Sequence, residues 1–286
     1  MKISGKTKLL GVIGWPVEHS LSPLMHNNNI ADLGIDYVYI ALPVNPANVK
    51  DSLFGLKALG FSGVNVTIPH KQAYIEYMDE ISQEVGTIGA LNTIHIKDNK
   101  FYGYNTDAYG FIEALKNKGN IEVKDKNIIV LGAGGASRAI TTASILNGAK
   151  RLAITDVLTD RLAELKNSLE KIGADIEIIT LTPDDKNIKE LAGDSDIVVN
   201  ASPLGMKKSD PLPINPEFIK SGAFVFDAIY NNGDTELLIE SQKRGCRILN
   251  GLSMLAYQGA RSFEIWTGIK PNVEKMMSIL KQEIGI

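Results

Sequence analysis

The sequence has a single cysteine, Cys246, among its 286 residues. One cysteine forms neither an internal disulfide nor a cysteine metal cluster, and such usage is typical of the reducing cytoplasm. Charges of both signs are interspersed, with a formal net charge of −3, so nothing indicates nucleic-acid or membrane-surface binding. No apolar run is long enough to span a bilayer, and the run after the basic N-terminus is too short for a signal peptide. We therefore expect a cytoplasmic protein with no membrane or nucleic-acid partner.

The length and the pattern of the chain predict two α/β domains, because 286 residues exceed what one compact core usually holds. The first part mixes strands and helices with polar loops. The second part alternates strand and helix, which predicts a doubly wound parallel sheet of the Rossmann type. We place the boundary so that 1–106, completed by C-terminal helices at 252–286, forms one domain and 107–251 the other. The strands of the second domain are predicted at 127–131, 152–155, 176–179, 196–200, 224–227 and 247–249.

A glycine-rich stretch, VLGAGGASRA at 130–139, joins an apolar strand to a helix. Glycine is needed where a diphosphate approaches the backbone closely and binds the first amides of a helix. The third position of the fingerprint holds Ser137, so the match is imperfect. Asp156 ends the next apolar run, where a carboxylate would accept hydrogen bonds from an adenosine ribose. The stretch predicts a dinucleotide site, and an ordinary glycine turn is the alternative.

The loops of the first domain carry polar residues at the predicted strand ends. Lys71 follows the strand in GVNVTIPHK and is predicted to begin a helix, where a lysine opposes the helix dipole. Asp107 follows Asn105 and Thr106, and all three are competent helix N-caps. A solvated surface lysine and a plain capping aspartate are therefore the structural alternatives for the two charged residues.

A nucleotide domain joined to a polar-lined domain predicts hydride transfer across an interdomain cleft. Reduction of a ketone leaves an oxyanion that takes up a proton, which a positioned ammonium can donate. Lys71 could supply that proton while Asp107 orients the ammonium. The residues predicted to face a small hydroxylated, carboxylated substrate are Ser20, Ser22, Thr67, Asn92, Asn105 and Gln258.

A series of stretches spanning almost the whole chain resembles the shikimate dehydrogenase family in content and order: HSLSPLMHN, GVNVTIPHK, GALNT, GYNTDAYG, GAGGASRA, NASPLGM, DAIYN and GLSMLAYQGARSFEIWTG. The resemblance implies a substrate domain, a Rossmann-type domain, and reversible NAD(P)H-dependent reduction of 3-dehydroshikimate to shikimate in aromatic amino-acid biosynthesis. It implies a catalytic pair of Lys71 and Asp107, with the lysine as proton acceptor in the oxidative direction. The implied substrate contacts are Ser20, Ser22, Thr67, Lys71, Asn92, Asp107, Tyr230 and Gln258, and the implied cofactor contacts are Gly132, Ala133, Gly134, Gly135, Ala136, Ile229 and Gly251.

One departure from the family concerns the cofactor, NADP or NAD. The family commonly has Asn-Arg-Thr after the second nucleotide-domain strand, and its arginine holds the 2′-phosphate of NADP. This chain has Asp156-Val157-Leu158 there. A carboxylate repels a phosphate and favours a free ribose diol, so the sequence predicts a preference for NAD unless Arg161 compensates.

The sequence is also compatible with other functions. Use of NAD favours a quinate/shikimate dehydrogenase working oxidatively, and a non-catalytic sensor of the same fold is a further alternative. A metal hydrolase using His19, His26 and His70 is disfavoured because their spacing matches no helical metal pair, so no metal is expected. A homodimer is compatible with the sequence but not specified by it.

Overall fold

The computed structural model describes residues 3–230 and 233–285. The chain forms two compact units, one of Met1–Gly110 with Ala256–Glu283 and the other of Phe111–Leu255 with Ile284–Ile286. Each unit contains one six-stranded sheet. The predicted two-domain α/β class is confirmed.

The first unit is built on a mixed sheet. Its strand order is β2-β1-β3-β5-β6-β4. β1 is parallel to β2 and β3, β5 is antiparallel to β3 and β6, and β4 is parallel to β6. The carboxyl ends of β1, β3 and β6 and the amino end of β5 therefore lie at one edge of the sheet. The strands are β1 (Lys8–Gly14), β2 (Tyr37–Pro43), β3 (Phe61–Val66), β4 (Glu80–Ile81), β5 (Thr93–Lys97) and β6 (Lys100–Tyr104).

β5 and β6 form a hairpin with a two-residue turn. Asp98 and Asn99 occupy the turn with φ of 49° and 62°. Two consecutive residues with positive φ match the twist of a two-residue hairpin turn, and aspartate and asparagine adopt that conformation more readily than most residues.

The second unit is built on a parallel sheet in the order β12-β11-β10-β7-β8-β9, with every pairing parallel. This is the doubly wound Rossmann order, in which ligands bind beyond the carboxyl ends of the central strands. All six strands predicted from the sequence are present. They are β7 (Asn127–Leu131), β8 (Arg151–Thr155), β9 (Glu177–Leu181), β10 (Ile197–Asn200), β11 (Phe224–Asp227) and β12 (Arg247–Asn250).

Within the described residues, no helix combines the length and the apolar composition needed to cross a membrane.

The helices are α1 (Ser22–Leu33), α2 (Val49–Ala58), α3 (Gln83–Ile88), α4 (Asp107–Ala114), α5 (Gly135–Leu146), α6 (Thr159–Glu170), α7 (Ile188–Asp194), α8 (Glu236–Lys243), α9 (Leu252–Thr267) and α10 (Val273–Ile284).

One local prediction in the first unit is wrong. The segment from Lys71 to Tyr74 consists of turns, followed by a 3₁₀ turn at Ile75–Tyr77, and is not an α-helix. The Lys71 carbonyl accepts a hydrogen bond from the backbone N–H of Leu91 at 2.8 Å, which ties it to a distant segment rather than to a helical turn.

α9 packs against the first sheet through a close approach at Gly63. Trp266 is buried and its indole N–H donates to the carbonyl of Ile94 at 3.0 Å. A Cβ at Gly63 would lie 2.3 Å from Trp266 Nε1. Glycine in β3 therefore makes room for the indole ring, and this contact fixes α9 on the sheet.

Candidate active site

A buried ion pair joins Lys71 and Asp107 at the sheet edge of the first unit. Lys71 Nζ donates to Asp107 Oδ2 at 2.5 Å, and the two side chains are 14% and 9% exposed. Lys71 lies in the turn after β3, and Asp107 is the first residue of α4, which follows β6. Such a charge-assisted hydrogen bond is short and directional. The sheet thus brings together the two charged residues that the sequence singles out.

The Asn105 side chain, rather than that of Asp107, accepts from the first backbone N–H groups of α4. Asn105 Oδ1 accepts from the backbone N–H of Asp107 at 3.0 Å and of Ala108 at 3.4 Å. Asn105 Nδ2 donates to the carbonyl of Ala90 at 2.9 Å, so the asparagine is fixed on both sides. Capping therefore does not explain Asp107, and the structural alternative raised for this residue is wrong.

Asn92 presents its amide nitrogen to the ion pair. The backbone N–H of Thr106 donates to Asn92 Oδ1 at 2.8 Å. Because a backbone N–H can only donate, this bond settles which end of the amide is oxygen. Asn92 Nδ2 then donates to Asp107 Oδ1 at 2.9 Å and to Gln258 Oε1 at 3.2 Å. Four of the predicted site residues, Lys71, Asn92, Asp107 and Gln258, thus form one connected group.

Three further predicted substrate residues lie at the same edge of the sheet. Ser20 and Ser22 follow β1, and Ser20 Oγ accepts from the backbone N–H of Ser22 at 3.3 Å. Thr67 follows β3, and its backbone N–H donates to the carbonyl of Ile13 at 2.8 Å. These residues share the edge with the ion pair because β1 and β3 are parallel neighbours.

The glycine loop of the second unit lies at the carboxyl end of β7. α5 begins at Gly135, with Gly134 as its N-cap. A Cβ at Gly134 would meet no heavy atom within 4 Å, whereas Gly132 has φ of 107° and packs on the backbone of Ala201 and Ser202. The loop is thus tight at its first glycine and open over Gly134. The buried hydroxyl of Ser137, in the first turn of α5, has no hydrogen-bond partner among the described residues.

Asp156 lies beside this loop at the end of β8. Its Oδ2 accepts from the backbone N–H of Ala133 at 2.7 Å, and its Oδ1 accepts from that of Leu158 at 2.9 Å. The carboxylate therefore binds the backbone of the glycine loop, and it lies at the position where the sequence predicts contact with a ribose. Each carboxylate oxygen can accept a second hydrogen bond, so a ribose diol is compatible with these contacts.

Ile229 and Gly251 meet directly at the same edge of the second sheet. The backbone N–H of Gly251 donates to the carbonyl of Ile229 at 3.1 Å. A Cβ at Gly251 would lie 2.2 Å from the carbonyl oxygen of Ala228, so only glycine fits here. Tyr230, predicted as a substrate contact, is the next residue after Ile229 and is half-buried.

Asp227 organises the loop after β11 and is a residue that the sequence patterns did not predict for the site. This fully buried carboxylate accepts from Thr235 Oγ1 at 2.7 Å and from Asn200 Nδ2 and the Ile229 backbone N–H at 3.0 Å each. Burial raises the pKa of Asp227 above its ordinary value, while the three donors act in the opposite direction. The sequence feature that could have identified Asp227 is its position as the last residue of a strand in the sheet predicted to bind the cofactor.

Two of the three histidines raised for a metal site, His26 and His70, are engaged elsewhere. The His26 ring stacks on Tyr39 with centroids 4.3 Å apart, and His70 Nε2 lies 2.7 Å from the carbonyl of Val44. Among the residues that the structure describes, no group of three histidine, cysteine or acidic side chains could hold a metal ion. The structure thus lends no support to the hydrolase alternative.

Comparison with known proteins identifies the family. A family model described as the shikimate dehydrogenase substrate binding domain matches residues 12–94, and one described as the shikimate 5'-dehydrogenase C-terminal domain matches 251–281. A Methanocaldococcus jannaschii protein named shikimate dehydrogenase (NADP(+)) is 43% identical over an alignment of 289 positions, which covers 99% of this chain and 99% of the relative. The chain belongs to the shikimate dehydrogenase family.

Solved members of the shikimate dehydrogenase family share the whole fold. A crystal structure of a shikimate dehydrogenase in complex with NADP+ has a TM-score of 0.90 and 39% identity, covering 99% of this chain and 98% of that one. A Listeria monocytogenes shikimate 5-dehydrogenase in complex with shikimate and NAD also has a TM-score of 0.90, at 34% identity and 98% coverage of both chains. The resemblance recognised in the sequence is therefore confirmed.

Proposed function

We propose that this chain catalyses the reversible, nicotinamide-dependent interconversion of shikimate and 3-dehydroshikimate. The first unit would bind the substrate and the second would bind the dinucleotide. The observation that carries this proposal is the buried Lys71–Asp107 pair, connected through Asn92 to Gln258. Charged, amide and hydroxyl groups at one sheet edge suit a small substrate that carries hydroxyls and a carboxylate.

Lys71 is proposed to carry the proton. When bound, the nicotinamide takes up or supplies the hydride. In the reductive direction the Lys71 ammonium protonates the carbonyl oxygen as negative charge develops on it, and in the oxidative direction the neutral amine accepts the hydroxyl proton. Asp107 holds the ammonium in place through its 2.5 Å hydrogen bond. The side chains proposed to orient the ring are Ser20, Ser22, Thr67, Asn92, Tyr230 and Gln258.

The second unit fits a dinucleotide at the glycine loop. The first amides of α5 have no intrahelical partners, and the space over Gly134 is open for a diphosphate to approach them. α5 has no acidic residue in its first turn, which leaves the positive end of the helix dipole uncompensated. The residues proposed to hold the cofactor are Gly132, Ala133, Gly134, Gly135, Ala136, Asp156, Ile229 and Gly251.

We further propose that NAD is preferred over NADP. Asp156 presents a carboxylate beside the glycine loop, and Val157 and Leu158 follow it where the family commonly has an arginine and a threonine. A 2′-phosphate would meet like charge there, whereas a ribose diol can donate to the carboxylate. The M. jannaschii relative is named for NADP+, so this preference would be a divergence within the family.

The cofactor proposal is tested by steady-state kinetics with shikimate and quinate, each with NAD and NADP. We expect kcat/KM with shikimate to be at least about tenfold higher with NAD, because one unfavourable charge contact is worth about 1.4 kcal/mol or more. A tenfold or greater preference for NADP would contradict the proposal. Quinate turnover matching that of shikimate would favour the oxidative quinate/shikimate alternative. Shikimate binding without cofactor reduction would indicate a sensor.

The catalytic proposal is tested by Lys71→Ala with Lys100→Ala as a matched control. Removing the proton carrier should lower kcat by about 10²- to 10⁴-fold and change KM far less. Lys100 is an exposed lysine of the same unit that pairs with Glu80 at 3.3 Å, so its loss should leave kcat unchanged. A near-normal kcat for Lys71→Ala would remove the proposed role.

A further inference from the structure

A series of buried hydrogen bonds runs from Tyr39 on β2, an outer strand of the first sheet, to Asp107. Tyr39 Oη donates to Asn65 Oδ1 at 2.8 Å, and Asn65 Nδ2 donates to Thr93 Oγ1 at 3.1 Å. Thr93 Oγ1 donates to Asn92 Oδ1 at 3.0 Å, and Asn92 Nδ2 donates to Asp107 Oδ1 at 2.9 Å. The exposed fraction of each residue is 7% or less. Every donor in the series therefore points toward the carboxylate, in a region shielded from water.

Two backbone groups fix the orientation of both amides in this series. Asn65 Nδ2 also donates to the backbone carbonyl of Asn92 at 3.0 Å, and a carbonyl can only accept. At the other end, the backbone N–H of Thr106 donates to Asn92 Oδ1 at 2.8 Å. Reversing either amide would place like groups against these fixed partners. Thr93 Oγ1 accepts from Asn65 and gives its own proton to Asn92 when Ser262 Oγ, 2.7 Å away, donates to Thr93.

A hydroxyl of α9 joins the middle of the chain. Ser262 Oγ accepts from Asn65 Nδ2 at 3.0 Å and lies 2.7 Å from Thr93 Oγ1 and 3.0 Å from Thr106 Oγ1. Ser262 is fully buried, one helical turn after Gln258. The helix that carries a proposed substrate residue thus also satisfies the polar groups beneath it, and such fully bonded networks are rigid.

Tyr39, the first residue of this hydrogen-bond series, stacks on another aromatic ring. The Tyr39 ring lies against the fully buried His26 ring, with centroids 4.3 Å apart and planes inclined by 19°. Burial lowers the pKa of His26 to about 3, so at neutral pH the ring carries no charge. The stack therefore orients Tyr39 without adding a second ion beneath the site.

We propose that Tyr39, Asn65 and Thr93 are positioning residues that act on Asp107 through Asn92. Hydrogen bonds arranged donor to acceptor in one direction strengthen one another, so the Asn92 amide is a firmer donor to the carboxylate than an isolated amide. The carboxylate is thereby held in its hydrogen bond with Lys71. This inference rests on the proposed role of the Lys71–Asp107 pair.

The test compares Tyr39→Phe with Tyr37→Phe. Both tyrosines lie on β2, but only the Tyr39 hydroxyl belongs to the chain, and phenylalanine keeps the ring. We expect kcat/KM for shikimate to fall about threefold to tenfold in Tyr39→Phe, the value of one hydrogen bond, with no change in Tyr37→Phe. The loss should appear in kcat with KM changed less than about twofold, because Tyr39 is not a proposed substrate contact and acts only on the proton-transfer pair.

A second comparison covers the case in which Tyr39→Phe folds poorly. Thr93→Val removes the central hydroxyl at nearly constant shape, whereas Thr93→Ser keeps the hydroxyl and should restore activity to within about twofold of the parent. Folded fraction is measured by circular dichroism for every variant. Unchanged kcat in Tyr39→Phe and Thr93→Val would overturn the inference. Loss of kcat only in proportion to the unfolded fraction would also overturn it.

Asp107→Asn distinguishes failure of this inference from failure of the proposed function. Parental kcat in Asp107→Asn would contradict the proposed function itself. If Asp107→Asn loses activity while Tyr39→Phe and Thr93→Val keep the parental kcat, only the inference about the positioning residues is contradicted. Loss of kcat in all three variants, with KM near the parental value in Tyr39→Phe and rescue by Thr93→Ser, supports the hydrogen-bond series.

Discussion

Gly134 offers a test of the dinucleotide site that separates binding from folding. The residue has φ of −79° and ψ of −170°, an extended conformation that alanine adopts without strain. A Cβ placed there would have no heavy atom within 4 Å. The substitution Gly134→Ala therefore causes no clash in the protein, but it places a methyl group where the diphosphate is proposed to approach.

The expected change in stability of Gly134→Ala is small because two effects oppose each other. Restricting the unfolded chain stabilises the protein by about 0.4–1 kcal/mol. Alanine is a poorer N-cap than glycine, which costs up to about 1 kcal/mol. The free energy of unfolding should therefore stay within about 1 kcal/mol of the parent.

The expected change in cofactor affinity of Gly134→Ala is much larger. A phosphate oxygen that accepts from a backbone amide lies about 3 Å from the nitrogen, and the new methyl group would keep it from reaching that distance. Losing one or two hydrogen bonds to a charged group, at about 1.5 kcal/mol each, raises the Kd about 10- to 150-fold.

Calorimetric titration with NAD and NADP, beside thermal unfolding, measures both quantities. Gly55→Ala is the control, because Gly55 lies within α2 and its Cβ would also meet nothing within 4 Å. We expect that variant to gain about 0.5–1 kcal/mol of stability and to keep the parental Kd. A Kd of Gly134→Ala within twofold of the parent would refute the placement of the diphosphate at this loop.

Two further predictions concern stability. Because burial lowers the pKa of His26 to about 3, below its ordinary 6.5, the unfolded chain binds the proton first and stability falls as pH falls from 6.5 towards 3. The free energy of unfolding should decrease by about 2 kcal/mol between pH 7 and 5 for this reason. Urea unfolding of His26→Leu should not show this decrease. An identical pH dependence of the unfolding free energy in the two proteins would contradict the prediction. Gly63→Ala should lower the free energy of unfolding by about 2–4 kcal/mol, because its Cβ would lie 2.3 Å from Trp266 Nε1 and displace the indole from Ile94. A decrease below about 0.5 kcal/mol would show that the ring moves freely and would contradict this prediction.

Local patterns were sufficient to predict much of the fold. The strands of the second sheet are continuous apolar runs separated by helices of regular periodicity, and such alternation specifies a parallel sheet. The hairpin at Asp98 and Asn99 follows from two residues that tolerate positive φ. In each case the information lies within a few neighbouring residues.

The segment after β3 shows where local patterns fail. Apolar residues at Tyr74, Ile75 and Met78 have helical spacing, yet the segment forms turns. Tyr74 is fully buried and its hydroxyl lies 2.8 Å from Ser52 Oγ, while the Lys71 carbonyl bonds to Leu91. Tertiary contacts therefore determine the backbone here, and the helix-dipole argument for Lys71 does not hold. The residue was singled out for a reason that the structure does not support.

The candidate site was only partly predictable because its decisive contacts are distant in sequence. Asn105, Thr106 and Asp107 are equally competent caps by residue type, and only the observed bonds of Asn105 show which one is used. Asn65 and Ser262 meet at 3.0 Å although they lie 197 positions apart. No periodicity or motif relates such residues, so the buried chain behind Asn92 becomes visible only in three dimensions.

The position of Asn92 depends on the antiparallel insertion of β5 between β3 and β6. Thr93, the first residue of β5, pairs with Asn65 near the end of β3 and with Tyr104 at the end of β6. The residue before β5 therefore lies between the turn that carries Lys71 and the helix that begins at Asp107. A parallel strand in this place would put Asn92 at the opposite edge of the sheet, far from both charges. The mixed topology of the first sheet is thus what allows an amide to hold the carboxylate of the ion pair.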